Sequence, residues 1–307
     1  MDRIYDMVII GGGPAGYTAA LYATRAGFDT AVVERLSAGG QVALTGVIDN
    51  YPGFELGIDG FELGMKMQQG AERFGATTHY TEVLSVELSE KIKVVHTDSG
   101  VIKGKTLVIA TGANPRELGL QREKELVGKG VHYCAHCDGR FYKDKTVVVI
   151  GGGNSAVSDA LYLSNIAKKV ILVHRRDTLT ATKIYHDPLM KAQNVEFCWN
   201  SVVEQLVADQ RVSGVVIRNV KDNTRTQIDC DGVFISIGRQ PATAFLKDKL
   251  QLDNVGYIIA DETTKTEIDG VFAAGDVRTK ALRQIVTAVA DGAVAVHYAE
   301  EYLNQSK

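Results

Sequence analysis

Two short glycine-rich segments constrain this sequence more than anything else in it. Gly11-Gly12-Gly13-Pro14-Ala15-Gly16 follows an apolar run at 5–10, and Gly151-Gly152-Gly153-Asn154-Ser155-Ala156 follows another at 146–150. A helical pattern rich in small residues comes after each, and then a second apolar run. The first of these runs, 30–33, ends at Glu34, and the second, 170–173, ends at His174. From Gly13 to Glu34 and from Gly153 to His174 the distance is the same, 21 residues. Each copy later closes on an apolar strand ending in glycine, LVIATG at 107–112 and VFISIG at 233–238. Strands alternating with helices build parallel sheets with right-handed crossovers. The pattern therefore predicts an α/β chain with two Rossmann-like three-layer domains.

A length of 307 residues suits two domains of ordinary size. A third glycine-ended strand, 271–276, has no glycine turn of its own to follow. It is expected to return to the first domain, with a helix at about 283–303 behind it. The second domain then reads as an insertion, giving 1–112 and 241–307 as one domain and 113–240 as the other. Asn114-Pro115 leads in and Gly238-Arg239-Gln240-Pro241 leads out, and such paired crossings suit a hinge.

A glycine turn alone is a weak signal, but here each has a strand before it, a helix after it and a telling residue at the next strand end. The first glycine makes the turn and the second lets a pyrophosphate approach the backbone. The third position lets the helix pack closely with its N-terminus toward the anion. Glu34 offers a carboxylate that accepts from both ribose hydroxyls, which suits FAD or NAD. His174-Arg175-Arg176 puts positive charge at the equivalent point, which suits the 2′-phosphate of NADPH.

Composition narrows the class further. A hydrophobic fraction of 45% and a charged fraction of 23% are those of a soluble globular protein. The net charge of -3 gives no reason to expect nucleic acid or an anionic membrane as partner. No apolar run approaches the ~18 residues of a membrane span. The chain moves from Met1 almost directly into the first strand, which leaves no room for a signal peptide, so a cytoplasmic protein is expected. Of the four cysteines, Cys198 and Cys230 lie in apolar or strand-like surroundings and read as packing residues. Cys134 and Cys137 stand apart, because cysteine pairs in the cytosol are usually catalytic, redox-sensing or metal-binding.

Taken together, these segments resemble low-molecular-weight thioredoxin reductases. The resemblance rests on the first glycine turn, on Gly39-Gly40-Gln41 with Ile48-Asp49-Asn50-Tyr51-Pro52-Gly53, and on Cys134-Ala135-His136-Cys137-Asp138-Gly139. It also rests on the second turn, on His174-Arg175-Arg176, and on Ala273-Ala274-Gly275-Asp276 with Arg283-Gln284, and it runs from end to end of the chain. It implies that Gly11, Gly13, Pro14, Ala15 and Glu34 hold the FAD diphosphate and adenosine. Gly40, Gln41, Thr45, Asn50, Val83, Thr111 and Gly112 would complete the FAD site. Gly275 and Asp276 would meet the ribityl chain, and Arg283, Gln284 and Ile285 the isoalloxazine. Gly153, Asn154, Ser155, His174, Arg175 and Arg176 would bind NADPH. A homodimer acting on thioredoxin or a thioredoxin-like protein is implied as well.

The family commonly has a further arginine four residues after the second of the paired arginines, where this chain has Thr180. One charge-assisted phosphate contact is worth about 1.5–3 kcal/mol, roughly 10- to 100-fold in affinity. Lys183 is close enough in sequence to replace part of it.

A Cys-x-x-Cys pair suits either structural zinc or redox chemistry. Zinc would want a second pair, which Cys198 and Cys230 do not form, so no metal is expected. By the family pattern Cys134 and Cys137 form the redox-active disulfide, with Cys137 nearer the flavin and Cys134 the outward nucleophile. Asp138 resembles the family's proton donor, though a carboxylate there also suits helix capping. His136 reads as a solvent-facing spacer. Three relatives compete: a ferredoxin–NADP reductase without the cysteine pair, a ferredoxin-linked reductase without the second nucleotide motif, and a dithiol oxidase with different cysteine surroundings. A non-enzymatic flavoprotein scaffold is the remaining alternative.

Overall fold

The structure, a computed structural model, describes residues 3–88 and 91–305. It divides into two compact units, Met1–Asn114 with Gln240–Lys307, and Pro115–Arg239.

In the first unit, four parallel strands lie in the order Thr77–Tyr80, Thr30–Glu34, Ile4–Ile10 and Gly100–Ile109. The last of these is long enough to serve two neighbours. Its first half pairs antiparallel with Lys93–Thr97, and its second half pairs parallel with Val271–Ala273. Buried residues alternate between the two faces, as the two-residue period of a strand requires. Met7 and Ile9 pack toward the helices Pro14–Arg25 and Ile285–Gln305. Val8 and Ile10 pack on the other side, with Val86, Val95, Leu246 and Ile258.

The second unit repeats the plan. Its sheet is all parallel, in the order Val131–His132, Gly232–Ile235, Thr146–Ile150, Lys169–Val173 and Val195–Cys198. Val147 and Val149 face the helix Asn154–Ser164. Val148 and Ile150 face an antiparallel layer made of Ser201–Ala208, Val212–Asn219 and Arg225–Asp229. Each unit thus has helices, a central sheet and a further β layer.

Some boundaries differ from the sequence pattern. The first helix starts at Pro14, within the glycine turn and not after it, because proline fits the first turn, where no backbone donor is needed. The last helix starts at Ile285, after the Arg283-Gln284 pair. The chain crosses between units through Ala113–Pro115 and Arg239–Pro241, short strands that pair with one another. Next to them, within the second unit, the Arg116 N–H donates to Gly238 O at 3.0 Å. Among the described residues no helix is long and apolar enough to cross a membrane.

Candidate functional site

The two glycine turns are built by the same steric rules. Gly11 and Gly151 have φ of +108° and +141°, and a Cβ on either would lie 2.4 Å from a carbonyl oxygen, of Ala110 and Ser236 respectively. Gly13 and Gly153 are the open positions. An added Cβ there would meet only Gly39 O or Thr180 Oγ1, each at 3.9 Å, so the backbone is accessible to a phosphate at the start of each helix. At the third position a Cβ on Gly16 would fall 1.8 Å from Gly11 O, whereas the second turn accommodates Ala156.

The middle glycines have a use that the sequence reading missed. Each leaves room for the residue ending the next strand. A Cβ on Gly12 would come 3.1 Å from Glu34, and one on Gly152 would come 2.3 Å from the His174 ring. Glu34 is tied to the turn as well, its Oε2 accepting from Gly12 N–H at 2.7 Å and its Oε1 from Leu36 N–H at 3.0 Å. A carboxylate has about four acceptor sites, so capacity for ribose hydroxyls is left.

At the second turn the strand end separates into two parts. His174 is buried against Gly152 and lies edge-on to Trp199. Burial above all, and also the Arg175 and Arg176 charges, hold its pKa below the usual imidazole range, so the ring is neutral at pH 7. Arg175 and Arg176 are exposed, as are Asn154 and Ser155 at the start of the helix. The cationic character of this strand end therefore rests on the two arginines. Thr180 lies at the turn itself, its N–H and Oγ1 donating to Gly152 O at 2.8 and 3.0 Å. Asn154 Oδ1 accepts from Thr182 N–H at 2.8 Å, so the 180–182 segment is laced to the helix start.

Around the first turn the structure gathers residues from distant parts of the chain. Gly40 lies against Gly13, and the Gly39 N–H donates to Gly12 O at 2.7 Å. Thr45 Oγ1 donates to Gln41 O at 3.2 Å, and the Gln41 amide donates to Asn114 Oδ1 at 2.8 Å. Asn50 Nδ2 donates to Gln284 Oε1 at 3.0 Å, joining positions 234 apart in sequence. Ile285 packs on the small core of Val42, Ile48, Ile58 and Leu63. Thr111 Oγ1 donates to Ala242 O at 2.9 Å, and Gly112 O accepts from Ala242 N–H at 3.0 Å. Val83 begins its strand two residues past Thr81, whose N–H donates to Glu34 O at 2.9 Å. Ala15 is enclosed by two glycines: a Cβ on Gly275 would be 2.9 Å from its Cβ, and one on Gly292 would be 2.3 Å from its carbonyl. That close fit brings the Gly275-Asp276 turn up to the start of the first helix.

A buried charge cluster, unnoticed in the sequence, holds that turn. Arg278 is 1% exposed and makes a bidentate pair with Asp291, 2.8 Å for each bond. Asp291 Oδ2 also accepts from Lys280 Nζ and Gly275 N–H, each at 2.8 Å. Burial alone would raise the Asp291 carboxyl, but Arg278 and Lys280 outweigh it and hold the pKa low. Arg283 donates to Asp276 O and Arg278 O, with its guanidinium 4.0 Å over the Tyr257 ring.

In the second unit Cys134 and Cys137 are joined in a disulfide, with Cα atoms 5.3 Å apart, inside the usual span. His136 is exposed beside Tyr162, its ring centre 4.2 Å away. The Asp138 side chain makes no cap hydrogen bond. It turns instead to His132, Oδ2 to Nδ1 at 3.0 Å. Cys230 is buried and Cys198 partly so. Among the described residues no group of three or more His, Cys, Asp or Glu is arranged to hold a metal.

Comparison with known proteins agrees with this geometry. Residues 5–292 match the family described as pyridine nucleotide-disulphide oxidoreductase. The thioredoxin reductase of Listeria monocytogenes is 45% identical over 307 residues, which is 100% of this chain and 96% of that protein. The crystal structure of thioredoxin reductase from Streptococcus pyogenes superposes with a TM-score of 0.92 at 45% identity, covering 99% of this chain and 100% of that one. Thioredoxin reductase from Giardia duodenalis gives the same TM-score, 0.92, at 36% identity, with 99% and 100% covered.

Proposed function

The chain belongs to the pyridine nucleotide-disulphide oxidoreductases and, within them, to the thioredoxin reductases; we propose that it works in the cytoplasm as a homodimer, an NADPH-dependent thioredoxin-disulfide reductase. Electrons pass from NADPH through FAD and Cys134–Cys137 to the disulfide of thioredoxin or a thioredoxin-like protein. One observation carries this reading above the others. A disulfide of catalytic spacing shares its chain with two nucleotide turns whose strand ends differ, Glu34 in one and Arg175-Arg176 in the other.

The residues fit the two cofactors. The open Gly13 and Gly153 backbones would face phosphates, Glu34 would take the adenosine ribose of FAD, and the exposed Arg175 and Arg176 would take the 2′-phosphate of NADPH. When bound, FAD supplies the two-electron carrier between nicotinamide and disulfide. Reduction breaks the Cys134–Cys137 bond. The Cys134 thiolate then attacks one sulfur of the carrier disulfide, forming a mixed disulfide and expelling a carrier thiolate, which Asp138 protonates. Cys137 attacks the Cys134 sulfur, releases the second carrier thiolate and restores the internal bond.

Anaerobic NADPH should bleach the flavin of the purified protein, and NADPH oxidation should then depend on added oxidised thioredoxin. A flavin that stays oxidised under NADPH would leave only a binding scaffold. A reduced flavin that reduces no thioredoxin-like carrier would remove the proposed substrate class.

A further inference from the structure

Asp138, partly buried, is the first link in a chain of three titratable side chains that runs into the interior. His132 is 7% exposed and ends the short strand that pairs with Val233–Phe234. Its Nδ1 is 3.0 Å from Asp138 Oδ2, and its Nε2 is 2.7 Å from the Tyr142 hydroxyl. The ring is clamped, stacked on Phe234 with centroids 5.2 Å apart and edge-on to Tyr142 at the same distance. Tyr142 is seated just as tightly, because a Cβ on Gly232 would come 2.3 Å from its ring.

The partners on the two nitrogens are chemically distinct. A carboxylate accepts a proton and welcomes an imidazolium beside it. A phenol both donates and accepts, so Tyr142 satisfies Nε2 whether or not that nitrogen carries a proton. Burial, with Asp138 and Asp231 adding to it, pushes the Tyr142 phenol up to about 12, so it keeps its own proton. A backbone carbonyl or amide in its place would favour one protonation state of the ring. Nε2 thus keeps its hydrogen bond to Tyr142, and Nδ1, on the carboxylate side, is the nitrogen placed to pass a proton to Asp138.

We propose that His132 is the proton partner of Asp138: it stores the proton that Asp138 delivers to the departing carrier thiolate, and it fixes the carboxylate that delivers it. The proton moves from His132 Nδ1 to Asp138 Oδ2 and on to the expelled sulfur, leaving the imidazole neutral. The ring then regains one proton from solvent, matching the single proton that NADPH-driven reduction of a disulfide to a dithiol consumes. Other groups face this chain. Arg211 and Asp231 lie near the Tyr142 phenol, Lys145 Nζ is 5.5 Å from its ring centre, and Asp138 closes the other end. His132 is a positioning residue in this scheme, since it acts through Asp138. The proposal rests on the thioredoxin reductase reading of the same disulfide.

The test is His132→Asn, whose amide can still donate to Asp138 but holds no transferable proton. Thioredoxin turnover driven by NADPH is measured across pH, per FAD-loaded subunit, so that a folding loss is not read as chemistry. The alkaline limb of kcat/KM for thioredoxin should move at least about one pH unit lower. The deficit should be roughly tenfold or more near pH 8 and within about threefold near pH 6. A limb that stays in place, with turnover unchanged or scaled equally at every pH, would leave His132 a packing residue. Should the variant not fold, nitrogen NMR of the wild type with labelled histidine decides. The His132 ring should titrate inside the native protein, and Asp138→Asn should shift that titration. A ring that keeps one protonation state from about pH 5.5 to 8.5, oxidised and reduced, overturns the proposal. Failure of the wild type to reduce thioredoxin would instead sink the functional reading itself.

Discussion

Glu34 and Gly12 fit each other as a pair: the carboxylate accepts the glycine N–H at 2.7 Å, and a methyl group on the glycine would lie 3.1 Å from three atoms of the glutamate. The strand-end residue is therefore placed by the turn it serves. Gly12→Ala should displace Glu34 and cost about 1–3 kcal/mol by overpacking. The expected result is a purified protein with a flavin-to-protein ratio well below that of the wild type. A full complement of tightly held FAD would show that Glu34 does not bind the cofactor.

Breaking the Arg278–Asp291 pair should be among the most destabilising single changes in the first unit. Arg278→Ala leaves a buried carboxylate with reduced compensation, a loss of about 3–5 kcal/mol. Thermal unfolding of the FAD-loaded protein would report it as a clear fall in Tm.

The same pair makes stability depend on pH in a definite direction. The folded-state pKa of Asp291 is depressed, so its contribution is present above the unfolded carboxylate pKa, about 3.9, and is lost as pH falls through the folded value. Wild-type stability should therefore fall below about pH 4 by more than that of Asp291→Asn, which is weaker throughout but lacks this acid-dependent step. Denaturant midpoints at a series of pH values measure it.

Nucleotide preference should lie in the exposed arginines and not in His174. Replacing Arg175 and Arg176 with alanine removes contacts worth about 1.5–3 kcal/mol each, less than additively, and should lower the NADPH/NADH ratio of kcat/KM at least about tenfold. Thr180→Arg keeps the backbone bond to Gly152 and should raise that ratio. An unchanged ratio in the double mutant would move the 2′-phosphate site elsewhere.

The two cysteines of the disulfide should give different products when mutated singly. Cys137→Ser leaves Cys134 able to attack a carrier disulfide with no resolving partner, so it should accumulate a mixed disulfide with a single-cysteine carrier, visible on nonreducing gels. Cys134→Ser should form none. Cys230 offers a contrast, since burial pushes its thiol up to about 12 and it should resist alkylation at pH 8 in the native protein. Trapping through Cys137 alone would reverse the two roles.

The glycine turns were legible because each constraint, even one set by Ala110 or Ser236 far along the chain, acts on the residue type itself. A left-handed φ or a carbonyl 2.4 Å away leaves a mark on residue type that spacing reveals. The parallel sheets followed from the same repetition. Other relationships leave no such mark. His132 meets Asp138 and Tyr142 only because a two-residue strand pairs with Phe234, and nothing in the segment VHYC points to that pairing. Arg278 reaches Asp291 across a loop and a helix turn, and nothing in either local segment marks a buried pair. His174 belongs with them: in the sequence it continues a basic triplet, but its ring fills the space beneath Gly152. Burial is decided by the neighbours that folding supplies.

The pairing of Ala113–Pro115 with Arg239–Pro241, and the 3.0 Å bond from Arg116 to Gly238 beside it, also bears on how the outer unit folds. Closing a loop costs entropy that grows with the logarithm of its length. The strand at 107–109 must find its partner at 271–273 across the whole inserted segment. Once the insertion has folded, its two ends lie side by side, and for the outer sheet the long excursion shrinks to little more than a tight turn. The inserted unit thereby removes most of the entropic penalty that its own length would impose on its host.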